Sequence, residues 1–182
     1  VSPTTAAHVE SEFGGQLMVL DGGACGVGIE SAIVDCTRGK PVLLRPGVLT
    51  QARIEAACGE RLWLPHEMDG RAAPRASGTL ESHYAPTAKV QLMTAADLQK
   101  AVDAYAHAQT QGAVAIWSGS AVRIPPGSAG LFKYQAMPAS AQDCAHQLFA
   151  QLRSFDAQGV AHIWVEIPPL TPPWDGVRDR LT

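Results

Sequence analysis

The strongest constraint on the fold comes from residues 88–182, where short apolar runs alternate with segments of helical periodicity. Thr94 and Ser140 each precede an amphipathic segment and are expected to cap a helix. A shorter helix is expected around Trp174 and Leu181. The apolar runs predict strands at residues 90–93, 113–117, 131–134 and 162–167.

Strands that alternate with helices in this way form a parallel sheet covered by helices, with right-handed crossovers. We therefore predict that residues 88–182 form a small Rossmann-like α/β domain. No Gly-x-Gly-x-x-Gly turn follows its first strand, so nothing in the sequence favours a dinucleotide site there.

A second pattern lies upstream, where residues 22–28 hold four glycines within seven positions. Glycine lets a backbone turn tightly and approach a ligand closely, because no side chain blocks the approach. An apolar alternation follows and carries the polar residues Glu30 and Ser31, and Arg45 precedes a Pro-Gly pair. A hydroxyl, a carboxylate and a guanidinium beside a glycine turn are typical of a small-molecule site that holds an anionic group.

Residues 1–59 contain further elements of an α/β domain. Ser2 before Pro3 predicts the start of a helix that ends near Gly14, and Thr50 predicts a helix that ends at Gly59. Strands are predicted at residues 17–20, 29–34 and 41–44. Because roughly fifty residues bury too little surface to be stable alone, the remainder of this domain is expected before the first residue.

Residues 60–87 lose periodicity and are rich in proline, glycine and alternating charges, which predicts a linker. Long ordered connections are often lids or binding segments. We therefore predict three parts: residues 1–59, a linker or lid at 60–87, and a second domain at 88–182.

Composition limits the partners. The 182 residues are 46% hydrophobic and 17% charged with a net charge of −3, so nucleic-acid binding would need a local patch or a partner protein.

The sequence has four cysteines and no Cys-x-x-Cys pair: Cys25, Cys36, Cys58 and Cys144. We therefore expect reduced thiols in a cytosolic protein. The histidines are too scattered for a metal site. No apolar run reaches the ~18 residues that a membrane-spanning helix needs.

Four motifs occur in a fixed order: SPTTAAHV at residues 2–9, GIES at 28–31, LRPG at 44–47 and HYAP at 83–86. In this order they resemble the threonylcarbamoyl-AMP synthases, the YrdC/Sua-type proteins of tRNA modification, in the longer form with a second C-terminal domain. The resemblance implies that residues 1–59 are the C-terminal part of a YrdC-like catalytic domain and residues 88–182 a Sua-type domain. Segments 152–156 and 179–181 are similar to motifs of the latter.

The resemblance also implies roles for individual residues. Ser2, Arg45 and Tyr84 would bind ATP, Ser31 would bind threonine, and no catalytic residue or protein-bound metal is assigned. Each has a plainer interpretation: a helix cap for Ser2, a solvated or salt-bridged surface arginine for Arg45, a backbone-bonded hydroxyl for Ser31 and a loop anchor for Tyr84. Glu30 is expected to be structural, with a basic or backbone partner. Two positions depart from the family: Ala32 replaces a usual threonine, and residues 77–82 lack the usual basic side chains.

The reaction implied by the family joins L-threonine, bicarbonate and ATP, usually with Mg²⁺, to give threonylcarbamoyl-adenylate and pyrophosphate. Partner proteins then transfer the threonylcarbamoyl group to tRNA in the cytoplasm. The family's upstream lysine and arginine cluster and its Ser-x-Asn segment are absent from this sequence. We therefore expect this chain alone to make no adenylate.

Two other functions are compatible with the sequence. Residues 88–182 could be a non-catalytic module that binds a nucleotide or RNA, although their basic residues are spread out and matched by acids. The second domain could also be a structural element that orders the linker, which agrees with the enzyme interpretation.

Overall fold

The computed structural model describes residues 1–68, 86–108 and 112–182. The helices are α1 (Ala6–Phe13), α2 (Gln51–Cys58), α3 (Ala95–His107), α4 (Ala141–Ala157) and α5 (Asp175–Leu181). The strands are β1 (Ile33–Asp35), β2 (Val42–Arg45), β3 (Lys89–Met93), β4 (Val114–Ser118), β5 (Phe132–Ala136) and β6 (His162–Glu166). No helix among these described residues is long and apolar enough to cross a membrane.

The second domain is built on a four-stranded parallel sheet with the order β3-β6-β4-β5. Helix α3 packs on one face and α4 on the other, which confirms the predicted α/β architecture with a helix-covered parallel sheet. Strand β4 is buried along its whole length. Alternate side chains of a strand point to opposite faces, so Ala115 and Trp117 join the core beneath α4 while Val114 and Ile116 join the core beneath α3.

Local capping signals are confirmed where the predicted cap precedes an amphipathic helix. The side chains of Thr50, Thr94 and Ser140 each accept a hydrogen bond from the backbone N–H three residues later. Helix α2 ends at Gly59 in the left-handed conformation. These contacts involve only near neighbours in the chain, which is why the sequence predicts them.

The prediction that Ser2 begins a helix is wrong. Helix α1 is capped instead by Thr5, whose hydroxyl accepts a hydrogen bond from the N–H of His8. Ser2 is buried, and its hydroxyl bonds to a side chain 28 residues away. The predicted end of the helix is confirmed, because Gly14 adopts the left-handed conformation.

The first part of the chain holds an antiparallel pair, β1 with β2, and two strand predictions need correction. Residues 17–20 are not a strand, no described strand pairs with them, and Met18 and Leu20 are 93% and 90% exposed. The strand predicted at 29–34 begins only at Ile33. The preceding residues leave the pair and pack on the second domain instead, as described below.

The beginning of the predicted linker is anchored to this pair. Trp63 bridges to Val42, and Leu62 is fully buried. The Lys40 ammonium lies 3.8 Å from the centroid of the Trp63 ring. The motif with His83 and Tyr84 lies outside the described residues, and the domain boundaries at 59 and 87 stay predictions.

Candidate functional site

The segment from Gly28 to Glu30 lies against helices of the second domain. Gly28 has a φ of +86°, and a Cβ atom there would lie 2.4 Å from the Ala145 carbonyl oxygen on α4. The next residue, Ile29, belongs to the same apolar core as Trp174 and Val177. Glycine at 28 is therefore required both by its backbone conformation and by the close approach of α4.

Glu30 is the polar centre of this segment. Its Oε1 accepts a hydrogen bond from Ser2 Oγ at 2.5 Å, and its Oε2 accepts one from Arg180 Nε at 2.7 Å. Burial alone raises the pKa of Glu30, but the hydrogen bonds from Arg180 and Ser2 outweigh it and hold the pKa below its usual range. The expectation that Glu30 has a basic partner is confirmed.

Arg45 holds the backbone of the neighbouring residue. Its Nε and Nη2 atoms donate to the Ser31 carbonyl oxygen at 3.2 and 3.0 Å. Arg45 is only 7% exposed, so the interpretation of a solvated surface arginine is wrong. Gly47 passes so close that a Cβ atom there would lie 2.5 Å from the Ala32 nitrogen. The side chain of Ser31 is exposed, while its backbone carbonyl is held by the buried Arg45.

The structure thus gathers three of the four predicted site residues at Glu30 and Ser31. Ser2 meets the Glu30 side chain, Ser31 follows it in the chain, and Arg45 binds the Ser31 carbonyl. The fourth, Tyr84, is outside the described residues. The sites for ATP and threonine that we assigned to these residues stay predictions.

Two arginines of the second domain have a role that the sequence analysis did not assign. Arg180 binds Glu30, and Arg153 on α4 donates to the Val1 carbonyl, to the Ser2 carbonyl and to Glu12. Both lie in the segments similar to Sua-type motifs, which was the available signal. Their partners are about 140 to 150 residues away in the chain, and no local pattern identifies such a partner.

A cleft of about 620 Å³ opens between α1 and α4, next to this contact. Its polar lining includes His8, Glu12, Arg153 and Asp156. Burial first, and the nearby Arg153 charge second, lower the pKa of His8. The cleft combines charges of both signs, and it borders the N-terminal residues that Arg153 holds.

Among the described residues, no three histidine, cysteine or acidic side chains come together as metal ligands. ATP-bound Mg²⁺ needs few protein ligands, because phosphate oxygens and water supply most of its shell. Of the four cysteines, only Cys144 is buried, and burial raises the pKa of its thiol to about 12.

Comparison with known proteins gives matches along the whole chain. A family model described as "Threonylcarbamoyl-AMP synthase, C-terminal domain" matches residues 49–182, and one described as "Telomere recombination" matches residues 1–47. Curated proteins named threonylcarbamoyl-AMP synthase are 34% identical in Schizosaccharomyces pombe and 32% identical in Bacillus subtilis. These alignments cover 91% and 99% of this chain, and 44% and 52% of the respective relatives. The chain therefore spans about half the length of these relatives.

Solved structures agree with these matches. The crystal structure of Pyrococcus abyssi Sua5 complexed with L-threonine has a TM-score of 0.78 and 27% identity, covering 99% of this chain and 53% of that one. A doubly substituted form of the same protein has a TM-score of 0.79 and 26% identity, covering 99% and 52%. The family match, the curated relatives and these structures all lead to one assignment. This chain belongs to the threonylcarbamoyl-AMP synthase family.

Proposed function

We propose that the chain forms part of an L-threonylcarbamoyladenylate synthase that serves tRNA modification. The observation that carries this proposal is that Ser2 and Arg45 both bind the Glu30–Ser31 segment, Ser2 at the Glu30 carboxylate and Arg45 at the Ser31 carbonyl. The Pyrococcus abyssi relative that was crystallised with L-threonine supports threonine as the substrate.

In the proposed site, Ser31 contacts threonine. Its hydroxyl is exposed, and its own carbonyl accepts a hydrogen bond from Arg45. The carboxylate of the preceding residue, Glu30, accepts one from Arg180. Such prior fixing lowers the cost of ordering the site when the substrate binds.

Ser2, Arg45 and Tyr84 are proposed to bind ATP. Because the Ser2 hydroxyl donates its hydrogen bond to Glu30, we expect its oxygen to accept a hydrogen bond from the nucleotide, for example from a ribose hydroxyl, rather than to donate to a phosphate. The buried guanidinium of Arg45 adds positive charge beside the site without leaving its backbone partner.

The proposed reaction has two bond-forming steps. The threonine amine attacks the bicarbonate carbon, and water leaves to give a carbamate. A carbamate oxygen then attacks the α-phosphorus of Mg-ATP, the bond to the β-phosphate oxygen breaks, and pyrophosphate leaves. Catalysis of such a transfer depends on cations and N–H dipoles that hold the phosphates in line.

Threonine binding tests the proposal directly. We expect L-threonine to bind the purified protein in a calorimetric titration, and Ser31→Ala to weaken binding about tenfold through loss of one hydrogen bond. Ser11→Ala is the matched control, because the Ser11 hydroxyl is exposed and donates only to its own helix. A protein that binds no threonine, or equal affinities for the two variants, would contradict the proposed site.

We further propose that these 182 residues alone release no pyrophosphate, because they span about half the length of the relatives that carry the name. The assay contains L-threonine, bicarbonate and Mg-ATP. Pyrophosphate release that depends on threonine would show this part of the proposal to be wrong.

Direct RNA binding is less favoured than the enzyme function. The basic side chains of the second domain are largely engaged with acids, as in the pairs Lys100–Asp97, Arg123–Asp103, Arg153–Glu12, Arg178–Asp175 and Arg180–Glu30. We propose that partner proteins in the cytoplasm, and not this chain, contact the tRNA. Tight tRNA binding that falls steeply with salt would instead indicate the RNA-binding module.

A further inference from the structure

Arg180 makes an unusual set of contacts for a residue in the last turn of a C-terminal helix. Its side chain is 7% exposed, and its Nε donates to the Glu30 carboxylate at 2.7 Å. Its Nη2 donates to the Glu30 carbonyl oxygen at 3.3 Å, and its Nη1 donates to the Pro46 carbonyl oxygen at 3.2 Å. Asp179 also pairs with it. One guanidinium therefore joins both segments of the candidate site.

The helix that carries Arg180 lies directly against these two segments. A Cβ atom at Gly176 on α5 would lie 2.8 Å from the Gly47 carbonyl oxygen and 2.9 Å from Ile29 Cδ1. The helix thus supplies a surface on which residues 29–30 and 46–47 rest side by side.

Two arginines hold the backbone at the proposed threonine site. Arg180 binds the carbonyl of Glu30, and Arg45 binds the carbonyl of Ser31. With both carbonyls engaged, the backbone of Ser31 has little freedom to rotate, so the direction of its Cα–Cβ bond is set. The planar fork of arginine suits this task, because its N–H donors lie at fixed angles to one another.

We propose that Arg180 is a positioning residue for the threonine site, acting through Glu30 and the Pro46 carbonyl to orient Ser31. This inference rests on the proposed function. It assigns to the second domain a part in substrate binding: the helix at its end orients a substrate-contacting residue of the first part of the chain.

The experiment compares Arg180→Gln with Arg178→Gln in the whole chain. Arg178 lies on the same helix, but its contacts are with Pro169, Thr171 and Asp175, away from the site. The first measurement is amide hydrogen exchange, and the second is a calorimetric titration with L-threonine. Arg180→Lys is the conservative variant, since it keeps a charge for Glu30 but loses the fork.

We expect Arg180→Gln to speed exchange in segments 29–33 and 45–48 and to weaken threonine binding about tenfold, because it leaves a half-buried carboxylate without its cation. We expect Arg180→Lys to exchange more slowly in these segments and to bind threonine more tightly than Arg180→Gln does. We expect Arg178→Gln to change neither the exchange rates nor the threonine affinity. Unchanged exchange in Arg180→Gln, or equal effects of the two glutamine variants, would overturn the proposal.

The two proposals can fail separately. If the unsubstituted chain binds no threonine, the proposed function fails, and the exchange data alone decide whether Arg180 orders these segments. If threonine binds equally well to the unsubstituted chain and to Arg180→Gln, the positioning role fails while the threonine site stands.

Discussion

At the scale of single residues, the site depends on where Glu30 finds its partners. A carboxylate on a short polar segment is expected to need a cation, and that expectation is confirmed. The identity of the cation could not be predicted, because Arg180 lies 150 residues away and the contact forms only when the second domain packs on the first. Similarly, Ser2 resembles a helix cap locally, but its hydroxyl bonds to Glu30.

We expect Glu30 to make stability depend on pH in the acid range. Its pKa is held down in the folded protein, so its contribution is present above the unfolded-state pKa of about 4.3 and is lost as pH falls through the folded value. Glu30→Gln should lower the free energy of unfolding at neutral pH by about 2 kcal/mol and remove this part of the acid dependence.

Thermal unfolding from pH 7 down to pH 3 measures this effect. Glu10→Gln serves as the control, because Glu10 is an exposed carboxylate on α1. An acid dependence of Glu30→Gln equal to that of the unsubstituted chain would contradict the assignment of this pair.

At the scale of elements, the sequence predicts helix caps and strands that depend on residues nearby in the chain. It fails where the structure of a segment depends on a distant segment. The caps at Thr50, Thr94 and Ser140 and the strands of the parallel sheet follow from local chemistry and apolar runs. Residues 17–20 have the same apolar character as the buried strands. They form no strand, since an apolar run becomes a strand only when another strand pairs with it, and Leu17, Met18 and Leu20 are exposed.

We therefore expect the double substitution Met18→Lys and Leu20→Lys to change the free energy of unfolding by less than about 0.5 kcal/mol. Leu62→Ala, at a fully buried leucine, should cost about 3 kcal/mol. Chemical denaturation measures both values. A large loss in the lysine variant would show that residues 17–20 are buried after all.

At the scale of the whole molecule, two parts of the chain share one core. Ile29 from the first part packs with Trp174 and Val177 of the second, and Arg153 and Arg180 add polar contacts across the same boundary. An apolar residue that packs across a boundary makes the two sides unfold together, because neither side can leave without exposing it.

Gly28→Ala tests this shared core. We expect it to cost about 3 kcal/mol or more, since alanine adds backbone strain at φ +86° and overlap with the Ala145 carbonyl. Gly23→Ala has a similar φ of +90° but no atom within 4 Å, so it should cost about 1 kcal/mol for strain alone. Equal losses in chemical denaturation would show that α4 does not press on residue 28.

Gly176 shows how this shared core limits the size of a side chain in the second domain. Gly176 lies in the first turn of α5, and glycine in a helix costs up to about 1 kcal/mol relative to alanine, so alanine would favour the helix by itself. Here the absent methyl group leaves room for the Gly47 carbonyl. The second domain thus gives up helix stability at a position where the first part of the chain packs closely on α5, so substitutions that improve α5 by itself are expected to push the two parts of the molecule apart.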